Sequence, residues 1–408
     1  MMLIRDAKHA AYSVLLTAVT VYAQNSPAPF DLKSALQQAE TSNLELRAAR
    51  QQRAIALAGI QVAGLWLNPT VSLGAARDTP HESLLWDQPI ELGGKRAKRI
   101  GVAREEQKAA EIDIGMVERQ IRHRTRDAFY QALLARAGVE QAKAALDLST
   151  RIRDAVKTRY DAGDVAQLEV IQAEVELARA TTDYQVTLQS QKVADVQLAV
   201  LLSLPFDRPL ELRGSVEDLP HEEGLQGITE TALRSNADIQ RTAQQAAIEE
   251  RRLQLAKASR FPNVDLQAGV DFNSPSDFKV GPRGQIGVAL PLFNRGQGEV
   301  AQSTARLDLL HLSMQAQKNN AEAQVFAAYY DYEARLRQAS DYSTTIVPQT
   351  VRLEEMAEES YRAGKSNLLT LIDAQRRLNE TRKAYLISVF SAQSAFSALE
   401  EVVGAPLD

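Results

Sequence analysis

Side chains able to do covalent or metal chemistry are scarce in this sequence. The five histidines (His9, His81, His123, His221 and His311) are dispersed, and no two have metal-ligand spacing. Cysteine is absent, which removes disulfides, thiolate ligands and the attachment point of a lipoprotein anchor. There is no nucleophile elbow, and Gly93-Gly94-Lys95 lacks the upstream glycine and the Ser/Thr of a phosphate loop. Asp and Glu are plentiful, but on amphipathic helices a charge is usually the solvated face. What does recur is a turn: Tyr160-Asp161-Ala162-Gly163 returns as Tyr361-Arg362-Ala363-Gly364. Glycine suits the left-handed conformation that ends a helix. These residues speak against an enzyme and require no cofactor and no metal. The net charge of -5 also argues against a nucleic-acid partner.

Those two turns belong to a tandem repeat. Ser42-Asn43-Leu44-Glu45 recurs as Ser235-Asn236-Ala237-Asp238, a shift of 235 − 42 = 193, and Pro69 recurs as Pro262 with the same shift. After the turns the shift is 361 − 160 = 201, and it holds for Leu168 and Leu369, Ile171 and Ile372, Leu177 and Leu378, Tyr184 and Tyr385, and Pro205 and Pro406. One loop differs in length; the order of landmarks does not. Ahead of the repeat, Arg5 and Lys8 precede an apolar run from Ala10 to Val21 that is too short to span a bilayer, and Val21-Tyr22-Ala23 offers small residues at a cleavage site. Residues 1–23 therefore read as an export signal, 24–210 as the first unit and 211–408 as the second.

The proline map marks long helices. No proline lies between Pro89 and Pro205, nor between Pro291 and Pro348, and proline costs about 3 kcal/mol inside a helix. Residues 95–158 as one helix would reach roughly 95 Å. After Gly364 the positions Leu368, Leu371, Gln375, Leu378, Arg382, Tyr385, Val389, Ala392, Phe396, Leu399 and Val403 alternate in steps of three and four, a coiled-coil seam. The matching seam of the first unit (Val170, Leu177, Tyr184, Leu188, Leu198, Leu202) is weaker. Pro348 has no counterpart there and should kink or end its helix.

Between the helices the period becomes two. Apolar residues alternate near 65–76 and 83–92 in the first unit and near 263–272 and 284–293 in the second. Polar turn-forming stretches, Arg77 to Glu82 and Asn273 to Arg283, join the pairs. Each run has the length of a tilted membrane strand, and the only tryptophans, Trp66 and Trp86, fall in these regions as interface candidates. Four strands cannot close a barrel, and open edges cannot exist in lipid. Several chains must then share one barrel, continued on one side by a helical tube.

These residues resemble the TolC family of outer-membrane efflux proteins over essentially the whole mature chain. The resemblance implies a mainly α fold: a trimer whose β-barrel, four strands per chain, sits above a coiled-coil α-barrel crossing the periplasm. It also implies hairpin tips at Gly163 with Leu168 and at Gly364 with Leu369, on which an adaptor docks. Asp373 and Glu169 are then entrance acids, Tyr361 a gate tyrosine with Tyr160 its counterpart, and Thr370 stands where some members carry a second acid. Gln88-Pro89-Ile90-Glu91-Leu92-Gly93-Gly94-Lys95-Arg96 is similar to the strand-to-helix junction of the heavy-metal (CzcC-like) branch, which implies divalent cations as cargo. That branch serves inner-membrane pumps of the resistance-nodulation-division class. Lys95 and Arg96, with Lys98 and Arg99, would sit at the periplasmic rim near anionic headgroups. The expected role is a passive conduit in a tripartite efflux system. The alternatives are a drug or other small-molecule channel of the same family, a periplasmic adaptor, and a soluble coiled-coil scaffold.

Overall fold

A computed structural model of the chain describes residues 29–77, 80–207, 210–218, 224–272 and 279–407. The expected export signal, the turn residues 273–278 and part of the first strand turn lie outside them. The first unit runs α1 (Leu32–Ser42), α2 (Leu44–Ala63), β1 (Thr70–Ala75), β2 (Glu82–Ile90), α3 (Lys95–Asp161) and α4 (Gln167–Leu202). The second runs α5 (Leu225–Ser235), α6 (Ala237–Ala258), β3 (Val264–Phe272), β4 (Val280–Val288), α7 (Gln297–Asp341), α8 (Val347–Arg362) and α9 (Leu368–Val403). A five-residue π turn, Tyr342–Ile346, joins α7 to α8.

The repeated Ser-Asn motif has a definite job. Asn43 and Asn236 share the backbone angles φ −59° and ψ 125°. Each side-chain oxygen caps the following helix, accepting from Leu46 N and Ile239 N, both at 3.1 Å. Each amide nitrogen donates to a carbonyl near the end of its unit's returning helix, Leu201 O at 3.0 Å and Val402 O at 3.2 Å. One residue type thus starts one helix and anchors another, twice. The core of the first unit gathers here around Leu46, Ile121, Phe129, Leu198 and Leu202, and that of the second around Val325, Tyr332, Phe396, Leu399 and Val403.

The seam on α9 is buried as spaced: Leu368, Leu371, Gln375, Leu378, Val389, Ala392, Phe396, Leu399 and Val403 are all inside, whereas Arg382 is exposed and Tyr385 partly so. α9 is also the one described helix apolar and long enough to cross a membrane by composition, but its apolar residues are this seam. On α4, Leu198 and Leu202 are buried and Val170, Leu177, Tyr184 and Leu188 only half-buried. Pro348 falls at the start of α8, directly after the π turn and on a continuous helical path, so it interrupts the helical hydrogen bonding without ending the helix. The equivalent stretch of α3 is one unbroken helix of 67 residues.

The strands form one antiparallel sheet in the order β1-β2-β3-β4. Two boundaries differ from the sequence reading. The first strand starts at Thr70 rather than near 65, because Leu65 closes a turn on Val62 O at 3.1 Å and Pro69 brings no N–H to a ladder. The fourth spans Val280–Val288 rather than 284–293. Pairing with β3 carries it back to Val280 opposite Phe272, and beyond Val288 a turn from Leu292 N to Leu290 O (2.9 Å) ends it. The register lines up the apolar positions: Val71, Trp86, Ala268 and Gly284 form one rung, and Leu73, Leu84, Val270 and Pro282 another. Ser72, Asp87, Gln267 and Gln285 lie on the opposite face. The sheet has one apolar and one polar side, and among the described residues nothing pairs with the outer edges of β1 and β4.

Candidate functional site: hairpin tips and the sheet-to-helix junction

Both hairpin tips close in the same way. At the first, Gly163 has φ +83° and donates to Tyr160 O at 2.9 Å, while Asp164 N reaches Arg159 O at 2.9 Å. At the second, Gly364 has φ +69° and donates to Tyr361 O at 3.0 Å, while Lys365 N reaches Ser360 O at 2.9 Å. These are the nested bonds of a helix ending in a left-handed residue, the reason glycine recurs. α9 then restarts on Asn367, whose side chain accepts from Thr370 N at 3.0 Å and from its hydroxyl at 2.9 Å. Thr370 is therefore spent on the cap.

The two tips lean on each other. Val156 and Ala173 of the first hairpin share a buried cluster with Ala357, Leu368, Leu371, Ile372 and Ala374 of the second, and Tyr361 packs against it. The Tyr361 hydroxyl donates to Glu169 Oε2 at 3.2 Å, and the Arg159 guanidinium lies 5.4 Å from its ring centre. Burial pushes the Tyr361 phenol above its ordinary value, the Glu169 charge and hydrogen bond push it further, and Arg159 opposes them. The phenol therefore stays a donor at neutral pH. Deeper along the hairpins Arg376 bonds Glu176, whose hydrogen bond raises the arginine's pKa further, with Asp373 and Glu380 adding field. So Tyr361 and Glu169 are brought together, whereas Tyr160 and Asp373 are exposed and outside this contact. Leu168 and Leu369 are exposed beside the turns. Sequence reasoning missed Arg159, Glu176 and Arg376; among many helix charges nothing in one dimension selects them.

At the other end the helices root in the sheet. Lys95 Nζ donates to Asn263 Oδ1 at 2.6 Å, and Arg96 Nε to Gly64 O at 2.6 Å, with its guanidinium 4.8 Å from the Trp66 ring centre. Arg99 bonds Glu91. Trp66 is 64% exposed and lies in the link before β1, while Trp86 sits within β2, 37% exposed.

The chain matches the family described as "Outer membrane efflux protein" over residues 35–203 and again over 228–405. It is 25% identical over 395 residues to the cobalt-zinc-cadmium resistance protein CzcC of Cupriavidus metallidurans, spanning 95% of this chain and 93% of that one. It is also 26% identical over 390 residues to the pyoverdine export outer membrane protein OpmQ of Pseudomonas aeruginosa, spanning 87% of this chain and 81% of the relative. Among solved structures, the open state of the MtrE outer membrane channel of Neisseria gonorrhoeae shares the fold with a TM-score of 0.75 at 17% identity, covering 92% of this chain and 89% of that one. CusC does so with a TM-score of 0.73 at 18% identity, covering 92% of each. Two hairpins rooted in one open-edged sheet, and a family match that runs through the chain twice, have one meaning: this chain belongs to the outer membrane efflux protein family, as a TolC-like channel protomer whose helices extend into the periplasm.

Proposed function

We propose that the protein is the outer-membrane duct of a tripartite efflux system, a passive conduit from periplasm to exterior assembled as a homotrimer. The observation that carries this reading is the sheet: one apolar face, one polar face and two unpaired edges. Unpaired backbone groups cost several kcal/mol each in lipid, so sister chains must satisfy them, β1 of one against β4 of the next. A periplasmic adaptor docks at the tips around Gly163, Leu168, Gly364 and Leu369, and an inner-membrane pump of the resistance-nodulation-division class supplies the energy. The entrance is held by Tyr361 on Glu169 and by Arg376 on Glu176; Asp373 supplies negative charge there and Tyr160 lines the first tip. Nothing in this role requires a catalytic group.

For the cargo we propose heavy-metal cations, supported by the likeness to CzcC along 95% of the chain. A small organic solute is the second reading, favoured by a similar identity to a pyoverdine exporter. Deleting the gene, restoring it on a plasmid and comparing tolerance to cobalt, zinc, cadmium and copper against a panel of drugs separates the two. Heat-modifiable trimers in the outer-membrane fraction are expected. A soluble monomer in the periplasm would sink the channel reading altogether.

A further inference from the structure

The junction between sheet and helices has two differently equipped sides. On the first, Lys95, Arg96 and Arg99 are committed to Asn263, Gly64 O and Glu91. On the second, Lys257, Arg260 and Arg295 are exposed and make no ion pair with any described residue. They are neighbours: a Cβ on Gly296 would lie 2.9 Å from Ala256 O and 3.3 Å from Ser259 Cβ, so the Arg295-Gly296 turn rests on the last turn of α6. Among the described residues these three cationic groups make one hydrogen bond, Arg295 Nε to Leu292 O at 3.3 Å, leaving most donors free.

Beside them lies an apolar shelf. Phe293 is 93% exposed, Phe261 55%, Leu290 66% and Leu292 61%. Phe261 is held in place against Gly93, where any Cβ would come within 2.6 Å of its ring. All four residues stand within a few positions of Val264 and Val288, the last rung of the apolar sheet face. At about 3.3 Å per residue, they lie no more than about 16 Å along the chain from that rung. Exposed aromatics next to unpaired cations, at the rim of a lipid-facing sheet, match the chemistry of a headgroup layer: acyl chain on one side, phosphate on the other.

We infer that Lys257, Arg260 and Arg295, with Phe261 and Phe293, form a binding site for an acidic phospholipid of the periplasmic leaflet. The site rests on the outer-membrane reading above, because it needs the sheet in lipid. It gives the second unit of each protomer a contact with three uncommitted cations, where the first keeps Lys95, Arg96 and Arg99 bonded internally and has only the half-buried Lys98 without a partner among the described residues. Arginine guanidinium groups suit a phosphodiester through paired N–H donors.

The test uses the purified full chain in vesicles of phosphatidylcholine with and without phosphatidylglycerol, followed by native mass spectrometry of the extracted trimer. Wild type is expected to retain phosphatidylglycerol in preference to phosphatidylcholine, a preference weakened by salt and falling roughly fivefold for each cation removed. K257Q/R260Q/R295Q should insert and trimerise with the preference gone, and Arg295→Lys should keep most of it. A triple variant that selects phosphatidylglycerol as well as wild type, or a wild type with no selectivity, overturns the site and leaves the channel intact. Failure of the wild type to insert or trimerise at all overturns both.

Discussion

Tyr361 and Glu169 lie 192 residues apart in the chain, yet they share one hydrogen bond across the two tips. Tyr361→Phe keeps the ring in its cluster and removes the hydroxyl's contacts with Glu169 and Arg159, a loss of about 1–3 kcal/mol. Combined with Arg376→Ala, it should raise single-channel conductance in planar bilayers; unchanged conductance would mean that these contacts do not restrain the entrance. The pH dependence has a definite sign. The folded phenol titrates above its ordinary value, so its contribution is fully present below the unfolded pKa and is lost only as pH rises through the higher folded one. The tip contact should therefore survive the whole neutral and mildly alkaline range as far as tyrosine is concerned. Any loosening from tyrosine should come above about pH 10 and be absent in Tyr361→Phe, as followed by conductance against pH.

The hairpins are built alike but carried differently. The first rises on an unbroken α3, whereas the second is interrupted by the Tyr342–Ile346 π turn and Pro348. The break has a local cause, since proline cannot donate to the preceding turn and a π turn reroutes the orphaned carbonyls. At both tips the glycine is decisive for backbone reasons alone: nothing lies within 4 Å of a Cβ built on Gly163 or Gly364, yet both sit at positive φ. Gly163→Ala and Gly364→Ala should each cost about 1–2 kcal/mol. Calorimetry of the purified protein would register the loss. A penalty confined to one of them would show that the tips are not equivalent in energy.

At the scale of the molecule the unpaired edges govern assembly. Within one chain β1 and β4 are separated by β2 and β3, about 14 Å between edges at the usual strand spacing. The chain has no cysteine, so introduced ones report cleanly. Cysteine pairs placed on Ser72 or Gly74 of β1 and on Arg283, Gln285 or Gly287 of β4 should cross-link between chains under oxidation. A ladder ending at three chains is the expected gel pattern, and cross-linking only within a chain would contradict the shared barrel.

The sequence by itself determined the elements and their duplication. Proline placement, the seam from Leu368 to Val403, the twin Tyr-x-x-Gly turns and the period-two runs are local signals, each set by what a backbone or one face of an element tolerates. It also carried the family resemblance, because the repeat keeps its landmarks in order. What it left open is pairing at a distance. Only the folded register shows the apolar positions of four strands falling on one face, β4 reaching back to Val280, and β1 waiting until Thr70. Only the packed hairpins select Arg159, Glu176 and Arg376 from dozens of equivalent helix charges, and only they give Glu169 its partner Tyr361. Likewise, the structure alone separates the junction's bonded cations from its free ones. A charge acquires a role from the neighbour three or four ångströms away, and that neighbour lies hundreds of residues away in sequence.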